Sequence, residues 1–421
     1  MMVQDRNTTK WISTVPEHWK TLRIKNLFAE IDERSETGEE ELLSVSHYTG
    51  VTKKRDSLEN EDDFISNAKT LVGYKKVAEN DLVSNIMLAW NGSLGISKYD
   101  GITSPAYCVY RIKGENNPHY YGYLFSTAIM KAEFRKKSFG IIDSRLRLYS
   151  DKFFSIPVAV PPKDEQDQIV FYIKAQSKKI KHFIQKKQAF IELLKEQRQA
   201  VSFDRIHQDG IEKGYPQRRI KSFAQILRGK FSHRPRNDQR LYDGDFPFIQ
   251  TGDVSQANKY IESYKQTLNE WGYSVSKEFP KGTLCLTIAA NVGDVAILNF
   301  NACFPDSIIG IVPNSEVDLD YLYYALKSFK AKFISESTLT TQYNINIEKV
   351  GPIKIPLPTL DEQLSIVSRI KTETAKIDQA ISKTEKEIEL IKEYREAMIV
   401  KAVLGKLDLK VHTKKEMEHA K

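Results

Sequence analysis

The sequence predicts an α/β (α+β) protein with a pseudo-twofold internal repeat, in which two similar mixed domains are separated by two long antiparallel coiled-coil helices. Three observations predict it. The 37 residues from Asp164 to Ala200 align without a gap on Asp361 to Ala397, with 18 identities at a constant offset of 197. Neither stretch contains glycine or proline, and both are rich in Glu, Lys, Gln, Ile and Leu, as a continuous helix requires. The segments before them, about 20–160 and 216–358, are each of ordinary domain size and carry short apolar runs broken by turns.

Taken in order, the chain reads as an N-terminal arm 1–20, a first domain 21–160, a central helix 161–206, a second domain 207–358, a C-terminal helix 359–401 and a tail 402–421. The runs Leu82–Ile86, Cys108–Ile112 and Leu284–Ile288 predict strands. Trp90-Asn91-Gly92 and Asn291-Val292-Gly293-Asp294 predict turns. Tyr120–Phe134 and Tyr321–Phe333 predict matching short helices, and Asn117-Pro118 a turn into the first of them. The two domains resemble each other in layout and little in residues. Pro161-Pro162, and Pro356 with Pro358, stop the chain before each long helix, and an early Asp favours each N-terminus.

Apolar residues keep heptad phase through both helices: Ile173, Ile180, Leu194 and Val201 with Ile184 and Ile191, then Ile370, Ile377, Ile391 and Met398 with Ile381 and Ile388. Such a seam predicts helix packed on helix, each spanning about 55 Å at roughly 1.5 Å per residue. Polar residues interrupt it at matched places, Lys187 and Thr384 in one row, Arg198 and Arg395 in the other, as if each met a partner near the opposite helix end. The plainer alternative is two amphipathic helices each covering its own domain.

A chain of 421 residues with 41% hydrophobic content holds two or three ordinary cores. Its formal charge of +8 favours a polyanionic partner. Cys108, Cys285 and Cys303 are too few and too scattered for a disulfide framework or a zinc pattern, so they read as core thiols in a reduced compartment. No apolar run approaches the roughly 18 residues of a membrane span, and a soluble, cytoplasmic protein with no membrane partner is expected.

Four segments then carry a resemblance. Trp11-Ile12-Ser13-Thr14-Val15-Pro16-Glu17-His18-Trp19-Lys20 resembles the lead-in to the first target recognition domain of type I restriction-modification specificity subunits. Ile353-Lys354-Ile355-Pro356-Leu357-Pro358-Thr359-Leu360-Asp361-Glu362-Gln363, and its weaker copy Ile156-Pro157-Val158-Ala159-Val160-Pro161-Pro162-Lys163-Asp164-Glu165-Gln166, resemble that family's exit from each recognition domain into a spacer helix. Ala402-Val403-Leu404-Gly405-Lys406-Leu407-Asp408 resembles the segment after the second helix. Ser202–Gly214 departs from the pattern, having no clear copy of that last segment.

The resemblance covers nearly the whole chain. It implies two target recognition domains that each read one half of an asymmetric bipartite double-stranded DNA sequence, helices that fix the gap, and two methylation subunits docked on them. It further implies adenine methylation and ATP-dependent cleavage by methylation and restriction/translocase subunits.

Base readout needs Arg, Lys, Asn or Gln on a rigid edge, with other basic groups on phosphates. Candidates in the first domain are the basic turn Lys53, Lys54, Arg55 and the alternating pair Arg145 and Arg147. In the second they are Arg228, Lys230, His233, Arg234 and Arg236, the densest basic loop, with Gln342 and Asn344, whose amides suit adenine. The plain readings are solvated charge runs, and turn capping for the amides. The central helix carries 10 Lys+Arg against 6 Asp+Glu between Lys163 and Arg205, and the second 9 against 9 between Asp361 and Lys406.

No phosphate-binding loop and no metal-ligand spacing occurs, so no catalytic residue, metal or cofactor is expected of the chain itself. Two rivals remain open at this level: a stand-alone DNA methyltransferase or nuclease, which would bind S-adenosylmethionine, and a coiled-coil scaffold, which would bind all duplexes equally. If the helices set the target gap, four residues added near both Lys187 and Thr384 lengthen each by about 6 Å. The methylated motif in cells then gains about one or two base pairs in its gap, with both half-sites unchanged. An unchanged gap with undiminished methylation refutes the ruler.

Overall fold

The computed structural model describes residues 10–46, 50–53, 70–141, 146–233, 235–289, 291–330, 333–334, 338–339, 343–344 and 347–407. The chain divides into two compact units, 1–186 with 387–421 and 187–386. Each contains its own sheets, one part of the helix Lys163–Phe203 and one part of the helix Leu360–Val403. Acidic first turns, Asp164 and Glu165 in one helix and Asp361 and Glu362 in the other, complement the helix dipoles.

In the first unit a four-stranded antiparallel sheet runs in the order Phe28–Ile31, Cys108–Ile112, Leu82–Ser84, Leu94–Ile96. In the second, Ala224–Arg228, Ile308–Pro313, Leu284–Thr287 and Val295–Leu298 stand in the same order, and Tyr260–Ile261 adds a parallel edge strand. The repeat is therefore one of topology where the residues have diverged. The second unit also carries a four-stranded sheet, Gln266–Leu268, Tyr242–Phe248, Ala302–Cys303 and Glu278–Phe279. Where the domain chain begins and ends, Lys20–Arg23 pairs with Pro157–Val160 and Gln217–Arg219 with Lys354–Pro356. Both short ladders hand the chain to a long helix.

The first core is aromatic: Tyr110, Tyr120, Tyr121, Phe125, Phe134 and Phe153 pack with Trp19. Ile173 and Ile180 of the central helix join it, as do Met398, Ile399, Ala402 and Val403 of the C-terminal helix. Ile184 and Ile391 lie partly buried against it. In the second unit Ile370 is buried with Ile366 and Ile206 in the core around Leu284, Ile309 and Tyr321. Ile191, Leu194, Ile377 and Ile388 are buried, and Ile381 is half-buried.

The pairing is antiparallel in both units. In the second, Arg198 Nε lies 2.7 Å from Asp378, and Arg205 Nε donates to both Glu373 oxygens at 3.0 Å, so rising numbers on one helix meet falling numbers on the other. In the first, Arg395 Nε donates to Ser177 at 3.5 Å. Both seam arginines thus meet the other helix. Thr384 does not: its buried hydroxyl donates to Ala380 of its own helix.

The Asp-Glu-Gln repeat fastens each helix start to its domain. Gln166 is 1% exposed; its amide nitrogen donates to the Pro161 carbonyl and Asn116, and its oxygen accepts from the Asn117 N–H at 2.8 Å. Gln363 is fully buried and does the same with Pro358, Glu316 and Asp318. Glu165 accepts from the Trp19 indole, and Glu362 accepts from the Tyr215 hydroxyl and from both the backbone N–H and the hydroxyl of Thr359.

Several sequence expectations are adjusted. The helix expected over Tyr120–Phe134 is two, Pro118–Ser126 and Ala128–Lys137, because Thr127 turns extended, donates to the Leu124 carbonyl and caps the next helix at Met130. The expected turn at Asn117-Pro118 is the N-cap and first residue of that helix. Its counterpart runs Leu319–Ser328 under an Asp318 cap. The strands expected over Leu82–Ile86 and Leu284–Ile288 stop at Ser84 and Thr287, where Asn85 and Thr287 turn their side chains to nearby backbone.

Beyond Phe203 the irregular stretch follows a wide turn Asp204–Gln208 and a short helix Asp209–Glu212, with Ile206 buried, and turns at left-handed Gly214. The C-terminal helix ends at left-handed Gly405, where a Cβ would lie 2.6 Å from Pro16, so the first and last family-like segments meet there.

Replacing Gln363 by Ala strips three backbone groups of their buried side-chain partner and costs about 1–3 kcal/mol, whereas Ala at exposed Gln379 stays within about 0.5 kcal/mol. Urea unfolding of the full chain measures both. Equal effects would remove the glutamine from its structural role.

Candidate nucleic-acid interface

The densest basic loop leaves the edge of the second unit's larger sheet. Arg228 ends the edge strand, and Gly229 lets the chain pass where a Cβ would lie 2.2 Å from the Pro305 carbonyl. Gly229 donates to Ile308 and Lys230 to Phe304, so the loop is stitched to the segment carrying Asp306. Phe231 and Leu241 sink into a core with Phe248, Leu268 and Cys303. Between those two anchors the side chains of Arg236 and Arg240 lie at the surface.

Two aspartates gather these cations. Arg228 Nε donates to the Asp306 carbonyl at 2.8 Å, and Arg236 pairs with the Asp306 carboxylate. Asp238 takes His233 at 3.0 Å and both forks of Arg240, at 3.0 and 2.7 Å. The Arg240 hydrogen bonds hold the Asp238 carboxyl well below the usual carboxylate range, against a smaller opposing effect of desolvation, with His233 contributing. Arg240 also lies 5.2 Å over the exposed Trp271 ring, whose edge meets His233 at 5.5 Å. The surface is cationic and aromatic, the chemistry that contacts phosphates and bases.

Lys230 is exposed, while Arg234 and Gln342 lie outside the described residues. Asn344 falls in the short strand Tyr343–Asn344, paired with Thr338–Leu339. In the first unit Lys53 ends the strand Gly50–Lys53, 3.4 Å from Glu41 and 5.3 Å over the Tyr99 ring. Lys54, Arg55 and Arg145 lie outside the described residues. Arg147 is half-buried, exchanges both backbone hydrogen bonds with Phe139 and donates to the Leu146 carbonyl.

Sequence reasoning missed Arg240, Trp271 and the two aspartates. The spacing Asp238-x-Arg240 was the available signal for one pair; Trp271 and Asp306 reach the loop only through tertiary contacts. It also missed Arg135, stacked 4.9 Å from the Trp90 ring beside the turn at left-handed Gly92.

Among the described residues no cluster of His, Cys, Asp or Glu is arranged to hold a metal ion, and no helix is long and apolar enough to cross a membrane. Cys285 and Cys303 are buried free thiols, and burial pushes the latter up to about 12.

Comparison with known proteins agrees with this geometry. The family model described as the type I restriction modification DNA specificity domain matches twice, over residues 16–193 and 212–390. The type I restriction enzyme MjaVIII specificity subunit of Methanocaldococcus jannaschii is 25% identical over 430 residues, covering 94% of each chain. The putative MjaX specificity subunit of the same organism is 32% identical over 128 residues, 30% of this chain and 29% of that one. A putative type I specificity subunit of Haemophilus influenzae is 30% identical over 178 residues, 38% of this chain and 43% of that one. With these last two the chain therefore shares less than half of the relative's length. A solved chain from a type I R-M system, studied for its complex assembly and conformational transition, matches at 16% identity with a TM-score of 0.59, over 93% of this chain and 99% of that one. That last likeness carries the fold. With both of its halves matched by one model, the chain belongs to the type I restriction modification DNA specificity domain family and carries two copies of that domain.

Proposed function

We propose that the chain is the DNA-specificity subunit of a type I restriction-modification system, reading an asymmetric, two-part duplex sequence. Residues 21–160 and 207–358 act as target recognition domains, one per half-site. The reading rests above all on one observation: a single sheet topology occurs twice, each time fastened by the same buried glutamine to a repeated helix, while the edges carried by the two sheets differ. Two like scaffolds with unlike edges suit two unlike half-sites, as a dimer suits two like ones.

In this reading the loop of Arg228, Lys230, His233, Arg236 and Arg240 meets the backbone of one half-site, and Gln342 and Asn344 have the chemistry to address an adenine edge. Lys53 and Arg147 are the corresponding candidates in the first domain. The chain itself performs no catalysis. Two methylation subunits on the spacer helices supply adenine methylation, and restriction/translocase subunits supply ATP-dependent cleavage, in the cytoplasm.

Exchanging residues 20–160 for the equivalent domain of another family member tests this. Modification-sensitive sequencing of a host genome carrying the chimera should show one half of the methylated motif changed and the other retained. A motif altered in both halves, or left intact, would overturn modular reading.

A further inference from the structure

Resting on that reading, we propose that Arg228 and Arg236 form a binding site for a backbone phosphate of the duplex, and that the Asp306 carboxylate is its exchangeable internal ligand. Both guanidinium groups converge on this one residue, Arg228 on its carbonyl at 2.8 Å and Arg236 on its carboxylate. Planar forks of this kind match a phosphate as well as a carboxylate. Asp306 is held in place through its backbone: Gly229 and Lys230 donate to the carbonyls of Ile308 and Phe304 on either side of it. The acid is thus presented to Arg236, with Arg228 held beside it on the same residue's carbonyl, before any ligand arrives.

Exposure decides that this pair is exchangeable. The Arg111–Asp81 pair of the first unit is bidentate, and its carboxylate is only 2% exposed, as befits a bond that holds the scaffold together. The side chains of Arg236 and Asp306 are 46% and 35% exposed. An exposed ion pair contributes little to stability and is open to competition by another anion. A duplex phosphate brings that anion together with the release of its condensed counterions. Asp306 therefore lowers the affinity of the loop for every duplex, whatever its sequence.

The sign of the effect at Asp306 and its dependence on Arg236 separate this arrangement from a generic charge effect. The full-length chain, alone and with its methylation subunits, is titrated by fluorescence anisotropy against a short labelled duplex of unrelated sequence at several salt concentrations. Asp306→Asn should tighten binding by about two- to fivefold and steepen the salt dependence by about one ion. Arg236→Gln should weaken it, and in the Arg236→Gln background the gain from Asp306→Asn should vanish. Asp306→Ser serves in place of the amide should that variant melt early.

Weaker binding by Asp306→Asn would make the aspartate a positioning group for the arginine and overturn the proposal. A gain that persists without Arg236 would reduce it to net charge and overturn it equally. A chain that binds no duplex, even with methylation subunits present, refutes the specificity-subunit reading, and this proposal falls with it.

Discussion

Everything in each unit depends on the amide group buried at the start of its long helix. A glutamine side chain in that place has one acceptor and one donor group, and at both Gln166 and Gln363 each is used against a different segment: the turn before the short helix, and the proline-bearing lead-in to the long one. An unpaired amide at that depth would cost several kcal/mol, so the three segments come together in one geometry or not at all. The helix direction relative to the sheet is set there. The aromatic core of the first unit and the mixed aliphatic and aromatic core of the second then fill the space that this geometry leaves.

The repeat holds at these joints and relaxes elsewhere. In the second unit the seam carries two ion pairs, Arg198–Asp378 and Arg205–Glu373. At the offset of 197 the corresponding partners in the first unit are Arg395 with Lys181 and Ala402 with Gln176, and neither pair can form a salt bridge. The first unit compensates with apolar contact, since Met398, Ile399 and Ala402 are buried there. A similar divergence occurs beside the short helices. Asp320 is clamped by Lys259 and Lys371, whereas its counterpart His119 is pushed towards neutrality by burial, with Lys174 and Lys98 adding to the effect. Along the seam, ion pairs in one copy stand where apolar contacts stand in the other.

The basic loop illustrates how a charged surface is kept ordered. Its anchors are apolar, Phe231 and Leu241, while Asp238 pairs with Arg240 and Asp306 with Arg236. Arg228, Lys230, Arg236 and Arg240 carry four positive charges in one loop, which repel one another and raise the cost of the folded loop. The two carboxylates lower that repulsion while leaving a net positive edge, and Trp271 adds a ring on which Arg240 rests.

By itself the sequence determined the repeat, the two unbroken helices, their antiparallel seam and the family, because all of these follow from periodicity and from residues close together in the chain. Gly- and Pro-free stretches with heptad phase leave few alternatives. The tertiary structure alone decided the common strand order beneath unlike residues, the role of the Asp-Glu-Gln repeat as a buried joint, and the break at Thr127. It also decided which side chains complete the basic edge. Arg228 and Asp306 are 78 residues apart in sequence, and Arg240 and Trp271 are brought together by the packing of a short helix. Local patterning reports the propensity of a segment, whereas a cation's partner depends on where the fold returns a distant carboxylate, and no periodicity in the chain encodes that return.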